Sequence, residues 1–156
     1  MDKSNTCCFI GHRKIEESEE LRQRLFEVVE NLIIEKKVDA FLFGSKSQFN
    51  NFCYEAVSEL KEKYPHVKRI FVRAEYPYIN DQYKNYLLEF YEDSYYPEKI
   101  LGANRAVYVK RNYEMIDKSD FCVIYYHGKF APTKRKSGTK IALDYAKRKK
   151  KEICML

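Results

Sequence analysis

The sequence predicts an α/β domain with a three-layer, Rossmann-like fold, in which a mostly parallel sheet has helices on both faces. Short apolar runs, such as DAFLF at 39–43 and FCVIYY at 121–126, are typical of strands buried on both faces of such a sheet. Longer segments between these runs have apolar residues at helical spacing. This alternation of strand and helix is the pattern of βαβ units.

The first half of the chain is predicted to hold three strands and two helices. The strands are expected at 6–10, 39–43 and 67–72. Ser18 is a good N-cap for a helix that runs to about Lys37, with apolar residues on one face. Asn50 or Asn51 is expected to begin the second helix.

The second half continues the alternation. Asp81 is expected to cap a helix that ends near Tyr91, followed by a short strand at 96–100. A helix at about 103–117 leads to the strand at 121–126, and a polar loop follows at 127–137. Gly138 is expected to start a helix through Lys149, before a last strand at 153–156.

The length of 156 residues predicts one domain that spans residues 1–156. No apolar run approaches the roughly 20 residues that cross a bilayer, and the polar start MDKSN is unlike a signal peptide. The five cysteines lie in apolar segments without a CxxC pair, as expected of buried thiols in a reducing compartment. We therefore expect a cytoplasmic protein without a membrane partner.

Ligands of open parallel sheets bind beyond the carboxyl ends of the strands, which selects the loops at 11–13, 44–50, 73–78 and 127–139. In the first loop, Gly11 permits a tight turn. Arg13 offers a guanidinium to a phosphate or carboxylate, and His12 can donate a hydrogen bond or transfer a proton near neutral pH. The alternative interpretation of Gly11-His12-Arg13 is a solvated turn.

Two further loops lead into helices, whose N-termini attract anions. The loop after the second strand carries Gly44, Ser45, Lys46, Ser47 and Asn50, and the one after the fifth strand carries Gly138 and Thr139. For each loop, the alternative is an ordinary capped turn. Neither loop matches the Walker pattern GxxxxGK[ST].

One arginine is expected to enter the same cleft from a helix. Asn104 and Arg111 are seven residues apart and so share a helix face, which Val107 and Met115 flank. A charged side chain on an inward face needs a partner, and a ligand anion would supply one. The commoner alternative is a salt bridge, for instance to Glu55 or Asp144.

The net charge of +6 is concentrated near the C-terminus, because residues 134–151 include nine Lys or Arg and one acid. Contact of Lys147–Lys151 with nucleic-acid phosphates is one interpretation, and a solvated helix face is the commoner one. The histidines lack the spacing of metal ligands, and no GxGxxG follows the first strand. We therefore predict no metal and no cofactor.

Four segments together resemble the SLOG superfamily, and in particular its small bacterial YpsA-like branch with a GHR signature. They are CFIGHR, FLFGSKSQFNNFCYEAVSELKEKYP, KRNYEMIDKSDFCVIYY and SGTKIALDYAKRKKKEI. The resemblance implies a Rossmann-like sheet that binds nucleotides or nucleotide-derived ligands. Relatives include the LOG phosphoribohydrolases, ligand-sensing domains of bacterial defence systems, and DprA. The residues that match the motifs are Gly11, His12, Arg13, Gly44, Glu55, Arg111, Gly138 and Thr139.

The LOG enzymes carry a glutamate shortly after Gly-Thr, where this chain has Ala142, and the nearest acid is Asp144. Cleavage of an N-glycosidic bond needs an acid at the site, whereas binding does not. Binding or sensing of a nucleotide is therefore the main function predicted. One alternative is a LOG-like phosphoribohydrolase, with Arg111, Glu55 and Asp144 as candidate catalytic residues. Another is single-stranded nucleic-acid binding through the basic run and stacked tyrosines. Relatives often form dimers, so the resemblance also implies a homodimer as a partner state.

Overall fold

A computed structural model describes residues 5–128 and 137–156. These residues form one parallel sheet in the order β4-β3-β2-β1-β5-β6. The strands are β1 Asn5–Gly11, β2 Val38–Phe43, β3 Lys68–Val72, β4 Asp93–Tyr95, β5 Phe121–Tyr125 and β6 Glu152–Met155. The helices are α1 Glu19–Ile34, α2 Gln48–Lys63, α3 Asp81–Phe90, α4 Val107–Lys118 and α5 Gly138–Arg148. The predicted three-layer, Rossmann-like fold is confirmed.

The sheet is buried on both faces because alternate strand residues face different helices. Phe9 and Phe41 belong to the apolar cluster that α1 and α2 cover with residues such as Leu25. Cys8 and Leu42, their neighbours in sequence, belong to a second cluster under α4 and α5. This two-sided burial explains why the strands read as nearly continuous apolar runs. No helix among the described residues is long and apolar enough to cross a membrane.

The predicted helix starts are partly wrong. Ser18 caps α1, since its side chain accepts a hydrogen bond from the Leu21 amide at 3.0 Å. The second helix begins earlier than expected, because Ser47 accepts from the Asn50 amide and places Asn50 inside the first turn. Likewise Asn80, and not Asp81, caps α3 through the Tyr83 amide.

The connection between α3 and α4 also differs from the prediction. The expected strand at 96–100 is wrong, because β4 spans Asp93–Tyr95 and Glu98–Ile100 forms a 3-10 turn after Pro97. The expected helix start at 103 is early by about one turn, because a 3-10 turn at Asn104–Ala106 precedes α4, which begins at Val107. Most of the loop predicted at 127–137 lies outside the described residues.

The order of the strands places a cleft at the carboxyl end of β1. The chain builds β1 to β4 in one direction across the sheet, with α1 and α2 on one face. It then returns through α4 to β5 on the other side of β1, with α4 and α5 on the opposite face. The loops after β1 and β5 therefore lead to opposite faces, which opens a crevice between them.

Candidate functional site

A cleft of about 890 Å³ lies at this edge of the sheet. Most of the residues predicted to bind a ligand line it: Gly11, His12, Arg13, Gly44, Ser45, Lys46, Ser47, Arg111, Gly138 and Thr139. Asn50 does not line it, because it is buried in the first turn of α2. The cleft thus collects residues from four separate segments of the chain.

Gly11 is required by packing. A Cβ atom built on Gly11 would lie 2.3 Å from Cδ2 of Phe49, whose side chain is almost fully buried in α2. The Phe49 ring also packs against Tyr125 of β5, with ring centroids 5.6 Å apart. The glycine at the end of β1 therefore lets the first turn of α2 lie directly against the sheet edge.

His12 joins the loops that follow β1 and β5. Its side chain is buried, and its Nε2 accepts a hydrogen bond from the His127 amide at 3.0 Å. Burial lowers the pKa of His12 below its ordinary value, which favours the neutral ring that this acceptor role requires. In this structure His12 holds the two loops together, and Arg13 beside it is exposed at the cleft.

The turn after β2 is closed by its own hydroxyl groups. The Ser45 and Ser47 hydroxyl oxygens lie 2.7 Å apart, and the Ser47 amide donates to Ser45 Oγ at 3.4 Å. Gln48 connects this turn to the chain after β1. Its backbone amide donates a hydrogen bond to the Arg13 carbonyl at 2.8 Å, and its side-chain Oε1 accepts one from the Ile15 backbone amide. The positive end of the α2 dipole consequently faces the cleft.

The last helix also begins at the cleft. Ser137 caps α5 by accepting a hydrogen bond from the Lys140 amide at 3.0 Å. Ser137, Gly138 and Thr139 all line the cleft, and no atom of residues 5–128 or 137–156 would lie within 4 Å of a Cβ on Gly138. Backbone amides of two helices, α2 and α5, therefore lie at one cavity, the arrangement that favours an anion.

Arg111 contributes the most buried charge of the cleft. The residue is 7 % exposed, and among the described residues its guanidinium hydrogen-bonds Oδ1 of Asn112, at 3.3 and 3.4 Å, and lies 5.7 Å from the centroid of the Tyr108 ring. A Cβ on Gly44 would lie 2.8 Å from Arg111 Nε and 2.6 Å from Met115 Sδ, so Gly44 makes room for this arginine. Burial lowers the pKa of Arg111 to about 10, which leaves it charged at neutral pH.

The other predicted partners of Arg111 lie elsewhere. Asn104, expected on the same helix face, precedes α4 and is exposed, with a positive φ of 55°. Glu55 forms a salt bridge with Arg22 at 3.6 Å, and Asp144 forms one with Lys140 at 2.9 Å. Neither carboxylate lines the cleft. Among the described residues, Arg111 has no carboxylate within salt-bridge distance.

The loop after β3 brings residues that the sequence did not single out. Its position at a strand end was predicted, but no pattern within RAEYPY distinguished one side chain from another. Arg73 donates from Nη1 to the Tyr76 carbonyl at 2.8 Å, and Tyr76 has a positive φ of 56°. The Tyr108 hydroxyl donates to Glu75 Oε1 across the cleft. The cleft residues contributed by this side are Arg73, Ala74, Glu75, Tyr76, Tyr83, Tyr108 and Asn112.

A model of the YspA SLOG family matches residues 9–156, which include every described residue of the cleft. The chain belongs to the YspA SLOG family. The predicted SLOG membership is thereby confirmed, and it associates the chain with nucleotide-related binding or a LOG-like role. Comparison with curated proteins gives no match.

Proposed function

We propose that the cleft binds a nucleotide or nucleotide-derived ligand, and that Arg111 holds its phosphate. The observation that carries this proposal is a buried guanidinium with no carboxylate within salt-bridge distance among the described residues. Burying an ion costs several kcal/mol unless an opposite charge or strong hydrogen bonds compensate. A side-chain amide oxygen at 3.3 Å and an aromatic ring compensate only in part. A phosphate would accept two parallel hydrogen bonds from the guanidinium.

The surroundings of Arg111 support an anionic ligand. Arg13, Lys46 and Arg73 line the same cleft, and the N-termini of α2 and α5 add partial positive charge. Backbone amides at the start of α5 and the Thr139 hydroxyl are suitable donors for the remaining phosphate oxygens.

The size of the cleft suits a nucleotide. Its volume of about 890 Å³ lies within the range of small-molecule sites, roughly 300 to 1,000 Å³. Tyr76, Tyr83 and Tyr108 line the side opposite Gly11, and their rings offer surfaces on which a base can stack. A phosphate at Arg111 would leave the base near these tyrosines.

The two alternative functions receive less support. Glu55 and Asp144, the carboxylates considered for N-glycosidic cleavage, are in salt bridges outside the cleft. The basic run lies at the far end of α5, roughly 15 Å from Gly138 at 1.5 Å per residue. Within it, Lys149 contacts Asp117, and Arg148 packs over Tyr145. The geometry of the described residues favours binding of a small ligand at the cleft.

Calorimetric titration tests the proposal. AMP, GMP and ADP-ribose are titrated into the wild-type protein, Arg111→Met and Lys110→Met, an exposed neighbour on α4 that does not line the cleft. We expect at least one nucleotide to bind the wild type and Lys110→Met alike. Arg111→Met should weaken this binding at least about tenfold, since a charged hydrogen bond contributes about 1.5 to 3 kcal/mol.

The unliganded proteins provide a second test. Arg111→Met removes a buried charge and keeps most of the side-chain volume, so we expect an unchanged or higher Tm without ligand. Weaker nucleotide binding combined with an intact fold would assign Arg111 to the ligand. Nucleotide binding by Arg111→Met equal to that of the wild type, or no nucleotide binding by the wild type, would contradict the proposal.

A further inference from the structure

Glu75 is the only carboxylate among the described residues that line the cleft. The other charged groups there are cationic: Arg13, Lys14, Lys46, Arg73 and Arg111. A negative charge in this position repels a phosphate and so works against the anion affinity that the rest of the cleft provides. Glu75 therefore needs a role other than holding an anion.

The loop that carries Glu75 is held in place from within. Arg73 donates to the Tyr76 carbonyl, and the Arg73 Nε atom is buried without another described partner. Tyr76 takes a positive φ of 56°, a conformation that non-glycine residues adopt infrequently. The Tyr76 ring packs edge-on against Tyr83 of α3, with centroids 6.2 Å apart. These contacts direct Glu75 towards Tyr108 of α4.

Glu75 forms no salt bridge with a described residue, although it interacts electrostatically with Arg111 at longer range. Its hydrogen-bond partner is the Tyr108 hydroxyl, and among the described residues no Lys or Arg lies within salt-bridge distance of its carboxylate. Glu75 is also exposed, so it does not fill the core. An ionised carboxylate accepts about four hydrogen bonds, and Tyr108 supplies one of them. The remaining acceptor positions are available at the cleft.

We infer that Glu75 selects the nucleoside part of the ligand by accepting hydrogen bonds from a pair of adjacent neutral donors. This inference rests on the proposed function. Two parts of a nucleotide present such a pair: the ribose 2′- and 3′-hydroxyls, and the N1–H and amino group of guanine. The negative charge of Glu75 disfavours a phosphate directly beside it, whereas the guanidinium of Arg111 attracts one. Glu75 and Arg111 together set the direction in which the nucleotide lies.

The test distinguishes the effect of Glu75 on binding of the nucleoside from its effect on binding of the phosphate. Inorganic pyrophosphate, AMP, 2′-deoxy-AMP and GMP are titrated into the wild type and Glu75→Gln. The matched control is Glu89→Gln, which removes the same charge from an exposed position of α3 outside the cleft. We expect Glu75→Gln to weaken the preferred nucleotide about tenfold. Pyrophosphate should bind Glu75→Gln equally well or more tightly, because a like charge is gone.

The nucleotide series identifies the donor pair. If the ribose hydroxyls bind Glu75, the wild type prefers AMP to 2′-deoxy-AMP, and Glu75→Gln loses this preference. If guanine binds Glu75, the wild type prefers GMP to AMP, and this preference is lost instead. Either result supports the inference.

Two results would overturn it. Tighter binding of every probe by Glu75→Gln would show that Glu75 acts only through its charge. Weaker binding of pyrophosphate and nucleotides by the same factor would show that it only supports the loop. Failure of the proposed function is recognised separately, because Arg111→Met would then bind pyrophosphate as tightly as the wild type does.

Discussion

The two walls of the cleft differ in how their polar groups are used. In the wall formed by residues 11–17 and 44–48, His12 bonds the His127 amide, Ser45 contacts Ser47, and Gln48 bonds the chain after Arg13. In the opposite wall, formed by residues 73–83 and 108–112, the Arg111 guanidinium bonds Oδ1 of Asn112. The first wall, which carries the recognisable motifs, uses them mainly to hold its own shape. The second holds a buried guanidinium at the cleft without a carboxylate at salt-bridge distance among the described residues.

This contrast predicts that substitutions of the residues that hold the first wall together change stability more than binding. Gly11→Ala is expected to have the largest effect, because its Cβ would overlap the buried Phe49 ring at 2.3 Å. Overpacking of this kind costs about 3 kcal/mol at the upper end of its usual range. Urea unfolding of Gly11→Ala measures the loss.

Phe49→Leu provides the control for Gly11→Ala. The smaller side chain makes room for the new Cβ, so the double substitution should be more stable than the sum of the two single changes predicts. Additive effects would show that Gly11 is required for another reason, such as close approach of a ligand. In that case Gly11 would act through the ligand and not through stability, which contradicts the contrast between the two walls.

His12→Ala is expected to have the next effect. It leaves the part-buried His127 amide without its acceptor, which costs about 1 to 2 kcal/mol of unfolding free energy. His12→Gln keeps an acceptor and should lose less. Urea unfolding of the two variants at pH 7.5 measures the difference, and equal losses would show that the hydrogen bond contributes little.

His12 should also make stability depend on pH. Its pKa in the folded protein is lowered by burial, so below about pH 6.5 the unfolded chain binds a proton that the folded protein does not. Stability contributed by His12 is therefore lost as the pH falls from about 6.5 towards the folded pKa. Unfolding between pH 7.5 and 5.5 should show a flatter loss for His12→Gln than for the wild type. Identical slopes would contradict the assignment of a neutral, buried imidazole.

Arg13→Ala is expected to have the smallest effect on stability of the substitutions in the first wall. Arg13 is exposed and lines the cleft, so its loss should leave the unfolding free energy within about 0.5 kcal/mol of the wild type. Nucleotide affinity should fall about tenfold, or about 1.4 kcal/mol, if the guanidinium reaches a phosphate. Unchanged affinity, measured by the same titration, would leave Gly11-His12-Arg13 as a purely structural turn.

Prediction of the secondary structure failed where a side chain bonds the backbone. Ser47 and Asn50 both follow β2 and both can cap a helix, and the sequence alone does not show which one does so. Ser47 caps α2, and this choice buries Asn50 away from the cleft. The short segment 93–106 failed for a related reason, since pairing with β3 selects Asp93–Tyr95 as the strand rather than the residues after it.

The residues of the cleft were also predicted only in part from the sequence. The burial of Arg111 was expected from its helix face, although Asn104, which defined that face, lies outside α4. Arg73, Glu75 and Tyr108 were not singled out, because their roles depend on contacts across the cleft. No local pattern marks a glutamate that faces a tyrosine 33 residues away.

The sequence by itself determined the parallel sheet, its helices and the edge at which a ligand would bind. Apolar runs, helical periodicity and strand-end glycines are local features, and the right-handed connections of βαβ units follow from chain geometry. Only the tertiary structure decided which polar side chains hold the walls and which ones face the cleft. His12, Gln48, Arg111 and Glu75 are all polar or charged residues in the sequence. Their different roles arise because burial and hydrogen-bond partners are properties of the packed chain.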